Sequence, residues 1–248
     1  MTTLNACLAQ WRHDGNFAPK GCGACPLIAR LKLNYLALVG NGMSNHKINI
    51  RRKNVEKILL AAEQVFAEQG HAGTSMSDIA RLADLPRSNL HYYFTTKDEL
   101  YREVLVNLLS AWEKEGACFV HFDDPRVVLT SYVREKMTHS RTRPHGSKLW
   151  ANEIMHGAPL FRDILDEHLF AGAKYKENKI RQWVEEKRIK PIEPFALLYM
   201  IWASTQHYAD FDYQVRALNG HQPLSDEQFE QAVQTITAVV LRGIGLEP

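Results

Sequence analysis

Residues 74–97, TSMSDIARLADLPRSNLHYYFTTK, compress two short helices and a tight turn into a span no longer than many single helices, which leaves few folds open. The first helix, from about Ser77 to Ala83, sets Ile79, Leu82 and Ala83 on one face, and the second, from about Arg87 to Tyr93, turns Leu90 and Phe94 inward. This is a helix-turn-helix pattern. It leaves Arg87, Ser88, Asn89, His91 and Tyr92 facing outward, and each can donate or accept hydrogen bonds, as a helix entering a major groove must. Such pairs of helices also occur in all-helical proteins that touch no DNA, so the flanking sequence has to decide.

Upstream, Val55, Ile58, Leu59, Ala62, Val65 and Phe66 recur at three-and-four spacing between Arg51 and Gly70, and Gly70 supplies a left-handed stop. Thr74 or Ser75 then caps the next helix, where a hydroxyl and free backbone amides could also hold a phosphate oxygen. Lys47, Arg51, Arg52, Lys53 and Lys57 crowd the approach, with Glu56 the one nearby acid. A charge run is often only a solvated face. Directly ahead of a three-helix module, it is better suited to neutralising phosphates, which gives salt-sensitive affinity without sequence preference.

The order and spacing of SDIA at 77–80, LHYYF at 90–94 and KDEL at 97–100 resemble the signature of the N-terminal domain of TetR-family transcriptional regulators. That resemblance implies that the positions of Thr74 or Ser75, Arg87, Asn89, His91, Tyr92 and Lys97 face DNA, with Lys97 reaching a phosphate from the start of a fourth helix. Tyr93 and Phe94 would be core. The turn departs from the family's usual Gly-Val-Ser, having Asp84, Leu85 and Pro86 instead. Asp tolerates the left-handed conformation and Pro suits a first helical position, so the turn is still expected to form.

At 248 residues and 45% hydrophobic, the chain has room for one large or two modest cores, while a net charge of +2 is too balanced to indicate nucleic acid by itself. No apolar run reaches membrane-spanning length, and four cysteines without a secretory pattern suit a cytoplasmic protein. After Lys97 the chain reads as helical to its end, so the expected class is all-α. Leu100, Val104, Leu105, Leu108, Leu109 and Trp112 form a long helix leading out of the DNA module. Further helices run from about Pro125 to Ser140 and around Pro144, and the stretch from Leu160 to Ile189 holds one helix or two. Residues 195–204 are apolar nearly all round, and the last helix has an apolar stripe through Phe229, Val233, Ile236 and Val240. Pairing these two helices with their copies would make a four-helix homodimer interface, which suits a two-fold operator on double-stranded DNA. The alternative is that both are core helices of a monomer.

The second half resembles a narrower branch of the same family, the pyrimidine-utilisation repressors of the Rut pathway. The likeness is carried by Trp112, Glu153 with Gly157 to Pro159, Pro191 to Pro194, and IWASTQHYADF at 201–211. It implies a uracil or thymine effector at a site containing Trp112, Trp202 and Gln206, with Glu153 assigned to the same ligand site. The chemistry is sound independently: indole stacks on flat rings, and the Gln amide offers one donor and one acceptor edge. Trp202 and Gln206, four apart, share a helical face. An unrelated metabolite stays open as the effector, as does a helical interaction protein without DNA binding.

Glu153 and His156 have metal-ligand spacing, but one such pair is half of what a di-iron bundle needs, and no phosphate loop or nucleophile elbow is present. No enzyme activity, cofactor or metal is expected. Residues 1–45 are read as an extension in which Cys22 and Cys25, with Cys7 and His13, could bind a metal, or which precedes a start at Met43. The expected division is 1–45 extension, 46–98 DNA-binding domain and 99–248 ligand-binding and dimerisation domain.

Overall fold

The computed structural model describes residues 45–247, so the cysteine pair and the question of a start at Met43 lie outside the described residues. The chain divides between Arg52 and Lys53 into two compact units. The described part of the first is only the opening turns of helix α1, Asn45–Gly73. From Lys53 onward the helix-turn-helix and the helical bundle form one unit.

Within that unit α1 buries Ile58, Ala62 and Phe66 completely, and its regular path breaks at Gly70, with φ of 69°. Helix α2, Met76–Leu82, follows, capped by Ser75, whose hydroxyl accepts from the Asp78 amide. The turn into α3, Arg87–Tyr93, puts Asp84 in the left-handed region at φ 54°. Pro86 sits one place earlier than expected. It is the N-cap, with extended ψ of 142°, because a proline lacking an amide hydrogen fits the last residue before the helix as well as the first within it. Leu82 departs from its expected inward position and is 46% exposed, since Ile79 and Ala83 already fill the narrow face that α2 turns to the core.

Helix α4, Lys97–Glu115, runs from the DNA module into the bundle. The short α5, Cys118–His121, leads to α6, Pro125–Thr142, and α7, Pro144–Met155, two helices that each begin on proline. Instead of one long helix after Leu160, a turn at Arg162–Ile164 and a π-helical segment at Leu165–Leu169 precede α8, Phe170–Glu185. Helices α9, Pro194–Asp210, α10, Asp212–Leu218, and α11, Asp226–Gly243, complete the chain, the last opened by a capping box between Ser225 and Gln228. The bundle core joins Leu129, Val133 and Met137 of α6 to Trp183 of α8, Leu198 and Ile201 of α9, and Val233 and Leu241 of α11. No described helix is long and apolar enough to cross a membrane.

The DNA module and bundle are joined by more than α4. Glu63 of α1, 4% exposed, receives the Arg143 guanidinium from the α6–α7 junction, and Arg143 also donates to Asn107 Oδ1 at 3.2 Å. Gly146 of α7 lies so close to α1 and α4 that an added Cβ would stand 2.8 Å from Glu63 Oε1 and closer still to Leu108 Cδ2. Both neighbours are side-chain ends, but Leu108 is fully buried and Glu63 is held by Arg143, so neither can swing away freely. Gly146→Ala should therefore lower the thermal midpoint, because overpacking of about 1–3 kcal/mol outweighs the roughly 1 kcal/mol that alanine adds to a helix interior. Calorimetry checks this; a raised midpoint would show that α7 can move aside.

Candidate DNA-reading surface and effector cavity

On α3 the outward and inward faces separate cleanly. Arg87, Ser88, Asn89, His91 and Tyr92 are exposed, Tyr92 to 66%, while Leu90, Tyr93 and Phe94 are buried. Arg87 Nε donates to His91 Nε2 at 3.4 Å across one turn, which orders two of the exposed polar groups. Tyr93 keeps its ring inside and takes a hydrogen bond from Asn54 of α1 at 3.2 Å. Arg52 and Lys53 are exposed on α1 and Arg51 is half-buried.

Thr74 and Ser75, offered together as phosphate-facing, have different positions. Thr74 is 4% exposed and its hydroxyl donates to the Gly70 carbonyl at 2.7 Å, so it closes the kink after α1 and cannot face DNA. Ser75 is the exposed one; it caps α2 and its hydroxyl donates to Asp78 Oδ2 at 2.6 Å. That bond, with the Arg81 guanidinium, holds the Asp78 carboxyl below its usual range. Lys97, expected to reach a phosphate, donates to two backbone carbonyls, His71 at 2.7 Å and Thr74 at 3.0 Å. Its ammonium is thus a fastener between α1 and α4, with one of its three donors not used in these bonds.

In the bundle, α4, α6, α7, α8 and α9 surround a cavity of about 360 Å³. Trp112, Trp202 and Gln206 line it together, joined by Tyr132, Trp150, Lys136, Lys176 and Glu113. Trp112 meets Trp150 edge to face with centroids 4.5 Å apart, and the Lys136 ammonium lies 4.7 Å from the Trp112 ring centroid. Trp202 spends its indole N–H on the Tyr132 hydroxyl at 2.7 Å, so it presents a face to the cavity and no free donor. Among the described residues, Trp112 Nε1 is buried without a hydrogen-bond partner, and no protein hydrogen bond involves the Gln206 amide.

Glu153 does not line the cavity. Its carboxylate accepts the Tyr101 hydroxyl at 2.7 Å and lies 3.4 Å from the Leu160 amide, on the side of α7 that faces α4. Burial first, and then this carboxylate, raise the Tyr101 phenol well above its usual range, so it remains a donor. A lone acidic residue in a sequence cannot show whether a ligand or a distant tyrosine satisfies it. His156, its partner in the candidate metal spacing, is exposed with Nδ1 2.7 Å from the Asn152 carbonyl. Of the lining groups missed in the sequence, Lys136 left a trace: a lysine interrupting the apolar series Leu129, Tyr132, Val133 and Met137 on α6.

Residues 58–104 match the tetR family of bacterial regulatory proteins, and residues 105–247 match the C-terminal region of YcdC-like proteins. The HTH-type transcriptional regulator RutR of Escherichia coli K12 is 36% identical over 208 residues, covering 84% of this chain and 97% of that protein. The Shigella flexneri protein of the same name matches equally. Among solved structures, the ketosteroid transcriptional regulator KstR2 of Mycobacterium tuberculosis superposes with a TM-score of 0.61 at 21% identity, covering 77% of this chain and 94% of that one. AibR, solved with isovaleryl coenzyme A and operator DNA, gives 0.59 at 16% identity, covering 75% and 97%.

Replacing Thr74 by valine separates its two assignments. The lost Gly70 bond should cost about 1–2 kcal/mol of stability, while the salt dependence of DNA binding should stay unchanged because no phosphate contact is removed. A shallower salt slope would restore Thr74 to the DNA face.

Proposed function

The chain belongs to the TetR family of transcriptional regulators, a family of DNA-binding proteins rather than enzymes, and from that premise we propose that it is a homodimeric repressor released from a palindromic operator by a small pyrimidine such as uracil or thymine. The observation that carries the effector assignment is the cavity: Trp112, Trp202 and Gln206 share it, and the Gln206 amide is not used by the protein among the described residues. Its volume of about 360 Å³ is at the small end of the roughly 300–1,000 Å³ common for ligand sites, which suits a single ring better than an effector of coenzyme size. An indole face stacks on a flat ring, and the amide reads an edge that alternates carbonyl and N–H.

The dimer is supported by what α9 and α11 leave uncovered. Tyr199 and Met200 on α9 and Val239 on α11 are exposed at 57%, 41% and 58%, an apolar surface that a second copy would bury. Two recognition helices then stand one DNA turn apart, roughly 34–36 Å, and the outward set on α3 reads base edges while Arg51, Arg52, Lys53, Ser75 and Lys97 contact phosphates. The effector acts by favouring a dimer whose helix spacing no longer fits.

Lys136, Lys176 and Glu113 in the cavity wall favour one alternative, a small ionised metabolite in place of a neutral pyrimidine.

A binding site selected from random DNA, footprinted with uracil, thymine, cytosine and small carboxylic acids in turn, tests these readings. A protected two-fold site whose affinity falls about 5- to 150-fold with uracil is expected. No protected palindrome would end the operator claim, and a palindrome indifferent to pyrimidines would end the effector assignment alone. In the same assay Arg87→Ala should cost roughly 1–3 kcal/mol of specific binding. Gln206→Ala should keep dimer mass on gel filtration and operator affinity but lose the uracil response.

A further inference from the structure

We propose that the effector is a pyrimidine carrying an apolar substituent on its carbon–carbon edge, and that Ile154 and Met155, the last two residues of α7, receive that substituent. This rests on the reading of the cavity as a pyrimidine site.

The cavity has a polar interior and an apolar opening. Lys136 and Tyr132, both on α6, are 6% and 3% exposed, and the other polar groups of the wall, Glu113, Lys176 and Gln206, are half-buried. Among the described residues that line it, only Ile154 and Met155 are exposed, to 38% and 74%. The cavity therefore meets solvent at the end of α7, through hydrocarbon and a thioether. Apolar residues scattered singly over a surface need no explanation, but two in succession at the opening of a ligand-sized cavity fit an apolar occupant.

Size leads to the same occupant. A cavity of roughly 150 Å³ is enough to hold benzene, and this one, at about 360 Å³, is more than twice as large. A bare ring held by its polar edge would leave the rest to water lying against Ile154 and Met155.

The chemistry of the ring decides which edge goes where. A pyrimidine of the uracil type has its two carbonyls and the N–H between them on one side and two adjoining carbons on the other. The Gln206 amide and the lysines match the polar side, which leaves the carbon–carbon edge turned towards the opening. The reverse orientation would set carbonyls against Ile154 and Met155 and carbons against Gln206 and Lys136, losing hydrogen bonds without gaining burial. A substituent on the outward edge covers both side chains and removes apolar surface of ligand and protein from water together. The flexible, unbranched side chain of Met155 can follow substituents of different length.

The test is titration calorimetry without DNA, using uracil, thymine and the ethyl and propyl homologues at thymine's methyl position, on the parent, Met155→Glu and Met155→Leu. In the parent, affinity should rise about two- to fourfold with each carbon added. Met155→Glu, at an exposed position outside the bundle core, should bring the ratio of propyl-homologue to uracil affinity close to one, and Met155→Leu should keep it. Homologues that bind no better than uracil would overturn the substituent and leave the pyrimidine reading standing. A rise with length that Met155→Glu does not reduce would overturn the assignment to the end of α7. Binding by no member of the series would end the pyrimidine reading and this inference with it.

Discussion

Helix α4 is one unbroken rod with a different task at each end. At its start Lys97 is fastened to the carbonyls of His71 and Thr74, where the DNA module turns; fifteen residues on, Trp112 stands in the cavity wall. At 1.5 Å per residue these points are about 22 Å apart, and a helix does not shorten to absorb a displacement. Lys97 and Trp112 are therefore held at a fixed separation along one helix. Part-way along, α4 is braced by Leu108 against Gly146 and by Tyr101 against Glu153.

The most costly brace is the buried Glu63–Arg143 pair. Removing charges from water is expensive, and an apolar contact of the same volume is often as stable, so stability is a weak reason for such a pair. Position is a better one. Arg143 ends α6 and precedes α7, and it donates to α1 and α4 together through Glu63 and Asn107. An apolar junction would permit several registers of α7 on α1, whereas the forked guanidinium permits few. Gly146 allows the approach that makes the pair possible, because a side chain there would hold α7 away from Glu63.

What could be read in the sequence was what local periodicity and turn chemistry decide. The outward and inward faces of α3 follow from the spacing of Leu90, Tyr93 and Phe94, and the left-handed Asp84 from what an aspartate tolerates. The limits of α1 and the π-helical segment before α8 were not legible, because both depend on packing between distant elements. Thr74 was misplaced since either of two adjacent hydroxyls could cap α2, and only the kink at Gly70 decides which one turns inward. Glu153 was misplaced for a longer-range reason: its partner, Tyr101, is 52 residues upstream. Trp112, Trp202 and Gln206 could be singled out by resemblance, yet nothing local indicated that the Trp202 N–H would be taken by Tyr132.

That last bond shapes what the cavity can distinguish. With Trp202 offering only its face, recognition of a ring's edge in an effector site there falls to the Gln206 amide and the lysines. A flat ring that pairs its edge with the Gln206 amide gains hydrogen bonds, while a ring of the same size without polar edges gains only the stacking. Shape thus admits many small rings, and hydrogen bonding chooses among them.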